Sequence, residues 1–302
     1  MSSGTPSPPA PDAEPAVSVV IATFNRGATL AQCLDALLAI DDPALEVIVC
    51  DDHSSDDTPQ VAARYAARDG RVVALRSEAN GGPAAARNLG IRRARGALVF
   101  FVDDDVTACP GWLAAGVRAF ERERVVGFEG RIVYVSDGYR PGYSERVVEN
   151  EAGGQFMTAN AGYRRADLIE AGLFDETLRR FEDRELALRM ARRGEVVFLA
   201  DCVVRHRQES QTPRSFFDEA LQIRLLIGVI KSTGDRGQLV GRVFLPSKLL
   251  AIVFPPIILL RLRSRRLRNR TDVACLLLAY PRLVRERLAL WRTAAAERFF
   301  VV

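Results

Sequence analysis

Three adjacent carboxylates, Asp103-Asp104-Asp105, close an apolar run, Ala97-Leu-Val-Phe-Phe-Val102, that reads as a short buried strand. Like charges beside apolar walls repel strongly, so a positive group is expected between them. Oxygen ligands on a loop suit a hard divalent ion such as Mg2+ or Mn2+. A solvated acidic turn is the plainer alternative. A second pair, Asp51-Asp52, ends the apolar stretch that begins at Glu46, and a third, Glu182-Asp183, opens a helical stretch. The strand-end position of Asp51-Asp52 makes the pair a ligand-binding candidate; its alternative is a turn and helix cap. For Glu182-Asp183 the alternative is acids that favour a helix N-terminus.

The elements that must position these acids alternate. Val17 to Thr23 predicts a strand, and Leu30, Leu34, Leu37 and Leu38 give helical spacing over Thr29 to Ile40. Glu46 to Asp51 predicts a second strand, with Ser54-Ser-Asp-Asp-Thr58 capping a helix to about Arg68. Arg71 to Leu75 is a third strand, and Pro83 opens a helix to Arg95. This β-α alternation predicts an α/β fold: a mostly parallel central sheet with helices on both faces. Ligands in such sheets bind beyond the carboxyl ends of the strands, where Thr23, Asp51-Asp52 and Asp103 to Asp105 all fall. Further on, a helix is expected from Trp112, strand alternation over Val125 to Val135, a loop over Gly153 to Asn160, and a helix over Asp183 to Arg193. Val196 to Leu199 and Cys202 to Arg205 read as two short strands, followed by His206, one of 2 histidines.

The chain of 302 residues, 48% hydrophobic, can bury one large domain and an appendage. Its net charge of +4 is uneven: from Arg261 onward 11 Arg face 3 acids, leaving the first 260 residues at −4. Basic residues beside apolar runs point to an anionic membrane surface and not to nucleic acid. Leu249 to Leu260 is a 12-residue apolar run containing a Pro pair. It is short of the roughly 20 residues a spanning helix needs, and an interfacial or re-entrant segment fits better. The alternative is a core helix pair with a basic solvent face. Five scattered cysteines without a C-x-x-C pair suit a reduced, cytoplasmic setting. Residues 1–15, rich in Pro, Ser and Ala, read as a disordered leader. The expected division is leader, catalytic domain over 16–210, and a helical, apolar and basic C-terminal region over 211–302. No G-x-x-x-x-G-K-[ST] occurs, which disfavours an NTPase, and the first turn has only one glycine, which disfavours a nicotinamide dehydrogenase.

Four blocks in order, Ser18 to Arg26, Cys50 to Thr58, Gly81 to Gly90 and Phe100 to Asp105, resemble family 2 glycosyltransferases. The resemblance continues through Ala171 to Glu176, Phe181-Glu-Asp183 and Val203 to His206, covering about Val17 to Gln208. It implies a GT-A fold and inverting transfer of a sugar from a nucleoside-diphosphate sugar, a UDP-sugar by default, to a glycan or lipid-linked acceptor. It also implies roles. Thr23, Asn25 and Arg26 line the nucleotide, and Asp52 accepts from the base. Asp105 is the firmest metal ligand, joined by His206 and by Asp103, while Asp103 or Asp104 lies nearer the ribose. Asp183 is the catalytic base, with Glu182 and Asn160 on the acceptor side. Phe181 stands where such proteins often have glycine. Arg87 holds a donor phosphate or forms a structural ion pair with the acidic triplet. No Gln-x-x-Arg-Trp sequence is present, so transfer of one or a few sugars is expected, at the cytoplasmic face of a membrane. The alternatives are a non-catalytic nucleotide-sugar or glycan-binding protein of the same fold and a membrane-associated scaffold.

Overall fold

A computed structural model describes residues 15–40, 42, 44–134, 142–207, 209–218, 229 and 267–296. These residues divide into two compact units: one runs to Val133 and includes Glu149–His206, the other comprises Tyr134–Val148 and the chain from Arg207. The stretch Tyr134–Val148 belongs with the C-terminal unit.

In the first unit, β1 (Val17–Thr23) lies between β2 (Leu45–Asp51) and β4 (Leu98–Asp103), with β3 (Val72–Arg76) outside β2, all parallel. Every residue of β2 is buried, as expected for a parallel strand covered on both faces. Neighbouring residues of β4 show the two covers. Phe100 meets Trp112 edge-on at 5.7 Å on one face, while Phe101 meets Phe174 at 5.4 Å on the other. The intervening helices are α1 (Gly27–Leu38), α2 (Thr58–Arg68) and α3 (Pro83–Arg93). In α1, Leu30, Cys33, Leu34 and Leu37 form one buried stripe at helical spacing. Pro83 starts α3 directly after Gly82, whose φ of +88° favours glycine. A side chain at Gly82 would also meet Arg179 Nη1 at 2.3 Å.

The sheet is mixed, in the order β3-β2-β1-β4-β8-β6-β9-β5. Its second half contains β5 (Val106–Ala108), β6 (Val125–Tyr134), β8 (Asn160–Arg164) and β9 (Glu195–His206). Strand β8 runs antiparallel to β4 and β6, and β5 antiparallel to β9. The two short strands expected over 196–205 are one strand of 12 residues, with His206 as its last residue. Helix α4 (Trp112–Ala119) packs against β9, and α5 (Arg165–Glu170) and α6 (Glu182–Met190) follow β8. Leu186 and Met190 of α6 share a core with Phe101, Tyr163 and Ile91.

In the second unit, β7 (Glu145–Arg146) pairs with β10 (Glu209–Ser210). Helices α7 (Pro213–Asp218) and α8 (Arg270–Ala296) pack together, with Tyr143, Cys275, Ala279 and Leu283 in a small core. Helix α8 also exposes Val273, Leu277, Tyr280, Leu288 and Trp291. The expected leader through Glu14, the 135–141 stretch and the Leu249–Leu260 run lie outside the described residues. Among the described residues, no helix is long and apolar enough to cross a membrane.

Candidate active site

Strand register sets the first half of the site. Thr23 is level with Asp51, and Ala22 with Asp103, so three adjacent parallel strands end together. The acids that follow are held from the β1–α1 turn. Thr23 Oγ1 donates to Asp104 Oδ2 at 2.6 Å, and Arg26 Nη1 reaches Asp104 at 3.3 Å and Asp105 at 2.8 Å. Burial pushes the Asp104 carboxyl up to about 7, with the charges of Asp105 and Asp103 adding, against the Thr23 hydrogen bond and the Arg26 charge. Burial also raises Asp105, again with Asp103 adding and with His206 and Arg26 opposing. Arg26 only partly neutralises the triplet.

The remaining side of the triplet fits a cation. Asp103, Asp105 and His206 each offer a ligand atom within 4.8 Å of the others. His206 Nε2 lies 3.3 Å from Asp105 Oδ1 and 4.0 Å from Asp103 Oδ2. Asp105 Oδ1 is buried, and no hydrogen bond from the described residues reaches it. A desolvated carboxylate oxygen turned toward an imidazole and a second carboxylate is what a divalent ion would satisfy. Two oxygens and one nitrogen suit Mn2+ better than Mg2+, whose preference is for oxygen.

Asp52 and Asn25 tie loops together. Asp52 Oδ1 accepts the Gly81 N–H and Oδ2 the Gly82 N–H, both at 2.8 Å, so the carboxylate fixes the entrance to α3. Asn25, at φ +55°, accepts the backbone N–H of Ser55 at 2.8 Å, and Arg26 donates its N–H to Thr58 Oγ1. These bonds join the loops after β1 and β2, the ends where the acids gather. His53 is exposed on the same loop.

Arg87 on α3 is the bridge to the third acidic pair. Its Nη2 lies 3.3 Å from Asp103 Oδ1 and its Nη1 2.8 Å from Glu182 Oε1. Arg87 thus pairs with the acidic triplet and with Glu182 at once. Glu182 is buried in that pair, while Asp183 is half-buried and accepts the Arg184 N–H at 2.7 Å. Burial pushes Asp183 up to about 7, and Glu182 and Asp103 raise it further while Arg87 and the Arg184 N–H oppose. A carboxylate so placed is suited to proton transfer near neutral pH. Phe181, immediately before the pair, has φ +65°, a left-handed conformation uncommon for an aromatic residue. That geometry accounts for glycine being suited to the position.

Asn160, expected on the acceptor side, lies inside the sheet. Asn160 is fully buried; its Oδ1 accepts from Trp112 Nε1 at 2.9 Å and its Nδ2 donates to the carbonyls of Arg131 and Cys202. Its amide ties β8 to α4, β6 and β9. Conversely, Glu129 was not singled out from sequence. It is buried on β6 and gathers the N–H groups of Gly154, Gln155 and Phe156. The available signal was an acid inside an otherwise apolar strand, Val-Val-Gly-Phe-Glu129-Gly.

A family model described as glycosyl transferase family 2 matches residues 18–172. Over 133 residues the chain is 38% identical to the succinoglycan biosynthesis protein ExoO of Rhizobium meliloti, covering 41% of this chain and 38% of that protein. It is 37% identical over 101 residues to the GalNAc(5)-diNAcBac-PP-undecaprenol beta-1,3-glucosyltransferase of Campylobacter jejuni, covering 33% of each. The chain thus spans about a third of the length of these curated relatives. Among solved structures, a Pyrobaculum calidifontis mannosyltransferase in complex with GDP-Man and Mn2+ aligns with a TM-score of 0.55 at 20% identity, covering 95% of this chain and 75% of that one. S. aureus TarS with UDP-GlcNAc aligns with a TM-score of 0.55 at 18% identity, covering 95% and 93%. The shared fold is GT-A.

Proposed function

The chain belongs to glycosyl transferase family 2, and from that premise we propose that it transfers a sugar from a nucleoside-diphosphate sugar to an acceptor hydroxyl, with a divalent cation and with inversion at the anomeric carbon. The observation that carries this reading is the meeting of Asp103, Asp105 and His206, with Arg87 linking Asp103 to the Glu182-Asp183 pair.

Asp103, Asp105 and His206 would hold the cation, which, when bound, supplies positive charge for the departing diphosphate. Thr23 and Arg26 keep Asp104 and Asp105 aimed into the crevice. Asp52 braces the Gly81-Gly82 turn and has lone pairs left to accept from a base, as Asn25 and Arg26 border the same end. On the far side of Arg87, Asp183 takes the proton of the acceptor hydroxyl as that oxygen attacks the anomeric carbon. The new C–O bond forms on the face opposite the breaking bond to the diphosphate, so one displacement inverts configuration. No second carboxylate has to act as a covalent nucleophile, unlike in retaining hydrolases. Glu182, neutralised by Arg87, keeps its charge from being imposed on Asp183 undiminished.

Relatives named for polysaccharide or lipid-linked glycan synthesis support a role in cell-surface glycan assembly with a lipid-presented acceptor. The Arg-rich C-terminal sequence and the exposed apolar residues of α8 support peripheral contact with an anionic membrane on its cytoplasmic face.

The test is a screen of nucleotide-sugars (UDP, GDP and dTDP donors) for diphosphate release, with octyl glycosides of glucose, galactose, mannose and N-acetylglucosamine as acceptors. Mn2+-dependent release that rises with acceptor and falls by about 10²–10⁴-fold in Asp183→Asn is expected. A variant as active as the parent would remove Asp183 as the base. Flotation with anionic liposomes checks the membrane contact, and protein that stays wholly with the soluble fraction refutes it.

A further inference from the structure

A buried carboxylate is costly unless it is fully hydrogen-bonded. Glu129 is 4% exposed, and among the described residues no Arg, Lys or His forms an ion pair with it. Its partners are instead almost all main-chain amides from one short stretch. Oε1 accepts the Gly154 N–H; Oε2 accepts the N–H groups of Gln155 at 3.1 Å and Phe156 at 2.8 Å, and Asn150 Nδ2 at 3.0 Å. Asn150 in turn accepts the Gly153 N–H at 2.9 Å and bridges to Ile132. The stretch has left-handed backbone at Gly153, Gly154 and Phe156, with φ of +82°, +79° and +58°. Such a backbone turns its amides inward to form an anion cradle, and here a side chain of the protein fills it.

The position of this clamp connects it to the site. Glu129 and Phe101 both pair with Ala161, so Glu129 is level with a residue two short of Asp103. Two strand spacings of about 4.8 Å separate β6 from β4, placing the clamp roughly 10 Å to the side of the acidic strand end. The face it occupies is the one covered by α6, whose first turn carries Asp183. Tyr163 lies within the field of both acids: burial, then the charges of Asp183 and Glu129, push its phenol up.

We propose that Glu129 is a positioning residue for the acceptor: it holds residues 150–156 as the wall of the crevice beside Asp183, against which the acceptor is seated. The proposal rests on the glycosyl-transfer reading above. Glu129→Gln preserves shape but turns one acceptor oxygen into an NH2 group that faces N–H donors. Hydrogen–deuterium exchange on the full chain should show the amides of residues 153–156 exchanging roughly tenfold faster or more. With the octyl glycoside that the parent enzyme uses, acceptor KM should rise roughly fivefold or more while donor KM stays within about twofold. Asn150→Ala, which removes one carboxylate contact and the Gly153 tie, should move both readouts in the same direction and serves if Glu129→Gln does not fold. Unchanged exchange overturns the clamp; faster exchange with unmoved acceptor KM, or with both KM values rising together, overturns its role toward the acceptor. If the parent enzyme transfers to none of the glycosides, it is the glycosyl-transfer reading that fails, and exchange alone upholds or overturns the clamp.

Discussion

Asp104→Asn should stabilise the cation-free protein at alkaline pH. The carboxyl of Asp104 is pushed from 3.8 to about 7, chiefly by burial and then by its acidic neighbours. One pKa unit is worth about 1.36 kcal/mol, so the ionised form carries a folding cost of up to about 4 kcal/mol. Because the folded value lies above the unfolded one for an acid, this cost is absent below about pH 3.8, grows as pH rises, and is complete above about pH 7. An amide at the position keeps an oxygen for the Thr23 hydroxyl but gives up the 3.3 Å ion pair with Arg26. Allowing for that loss, a net gain of about 2 kcal/mol, or roughly 4–8 °C in melting temperature, is expected at pH 8 in EDTA. At pH 5 the gain should shrink. Thermal melts of both proteins at the two pH values, with EDTA and with Mn2+, measure this. A variant that melts no higher than its parent at pH 8 in EDTA would refute the claim that the ionised, buried Asp104 carboxylate costs stability until a cation arrives.

Three further outcomes follow from the same geometry. His206→Ala should weaken Mn2+ binding by at least roughly tenfold, read by calorimetry with UDP present, because it removes the nitrogen ligand and leaves Asp103 and Asp105 unshielded; equal affinity would remove His206 from the site. The rate of transfer should rise with pH as Asp183 loses its proton, with a midpoint at or below about 7, since a bound cation adds positive charge nearby; a rate that falls over pH 5 to 8 contradicts a carboxylate base. Asp52→Ala frees two main-chain donors, buried at Gly82 and half-buried at Gly81, and should cost about 2–4 kcal/mol in urea unfolding; a loss below about 0.5 kcal/mol would show that the brace is idle.

The parallel half of the sheet was legible because its strands are long apolar runs that end in turn chemistry. Val17–Thr23 agreed residue for residue, and Asp51 and Asp103 came to the expected edge. The antiparallel half was harder to see. Strand β8 reads Asn-Ala-Gly-Tyr-Arg, with no alternation, because its small residues make room for rings: a side chain at Gly162 would meet Phe128 at 2.3 Å and Phe100 at 2.6 Å. That is a tertiary demand with no local signature. Asn160 looked like a loop residue for the same reason, since polarity suggests solvent until Trp112 supplies an internal partner. In β9 the expected gap between Leu199 and Cys202 is bridged: the Asp201 side chain points out to Arg118 and the strand continues. The acidic motifs were visible as sequence, whereas the partners of Arg87 and Glu129 depend on residues far along the chain.

Strand β4 is the last of the parallel set, and its other neighbour, β8, runs the opposite way. Under the proposed mechanism this seam separates two tasks. Groups that grip the nucleotide descend from β1, β2 and β4, joined at the cation by His206 of β9, while the segment 150–156 proposed as the wall near Asp183 is held from β6. On that reading, substitutions around the Glu129-held segment would redirect which hydroxyl is glycosylated while the groups of β1, β2 and β4, and His206, keep the nucleotide choice unchanged. A single scaffold could diversify its products by altering one flank of one sheet.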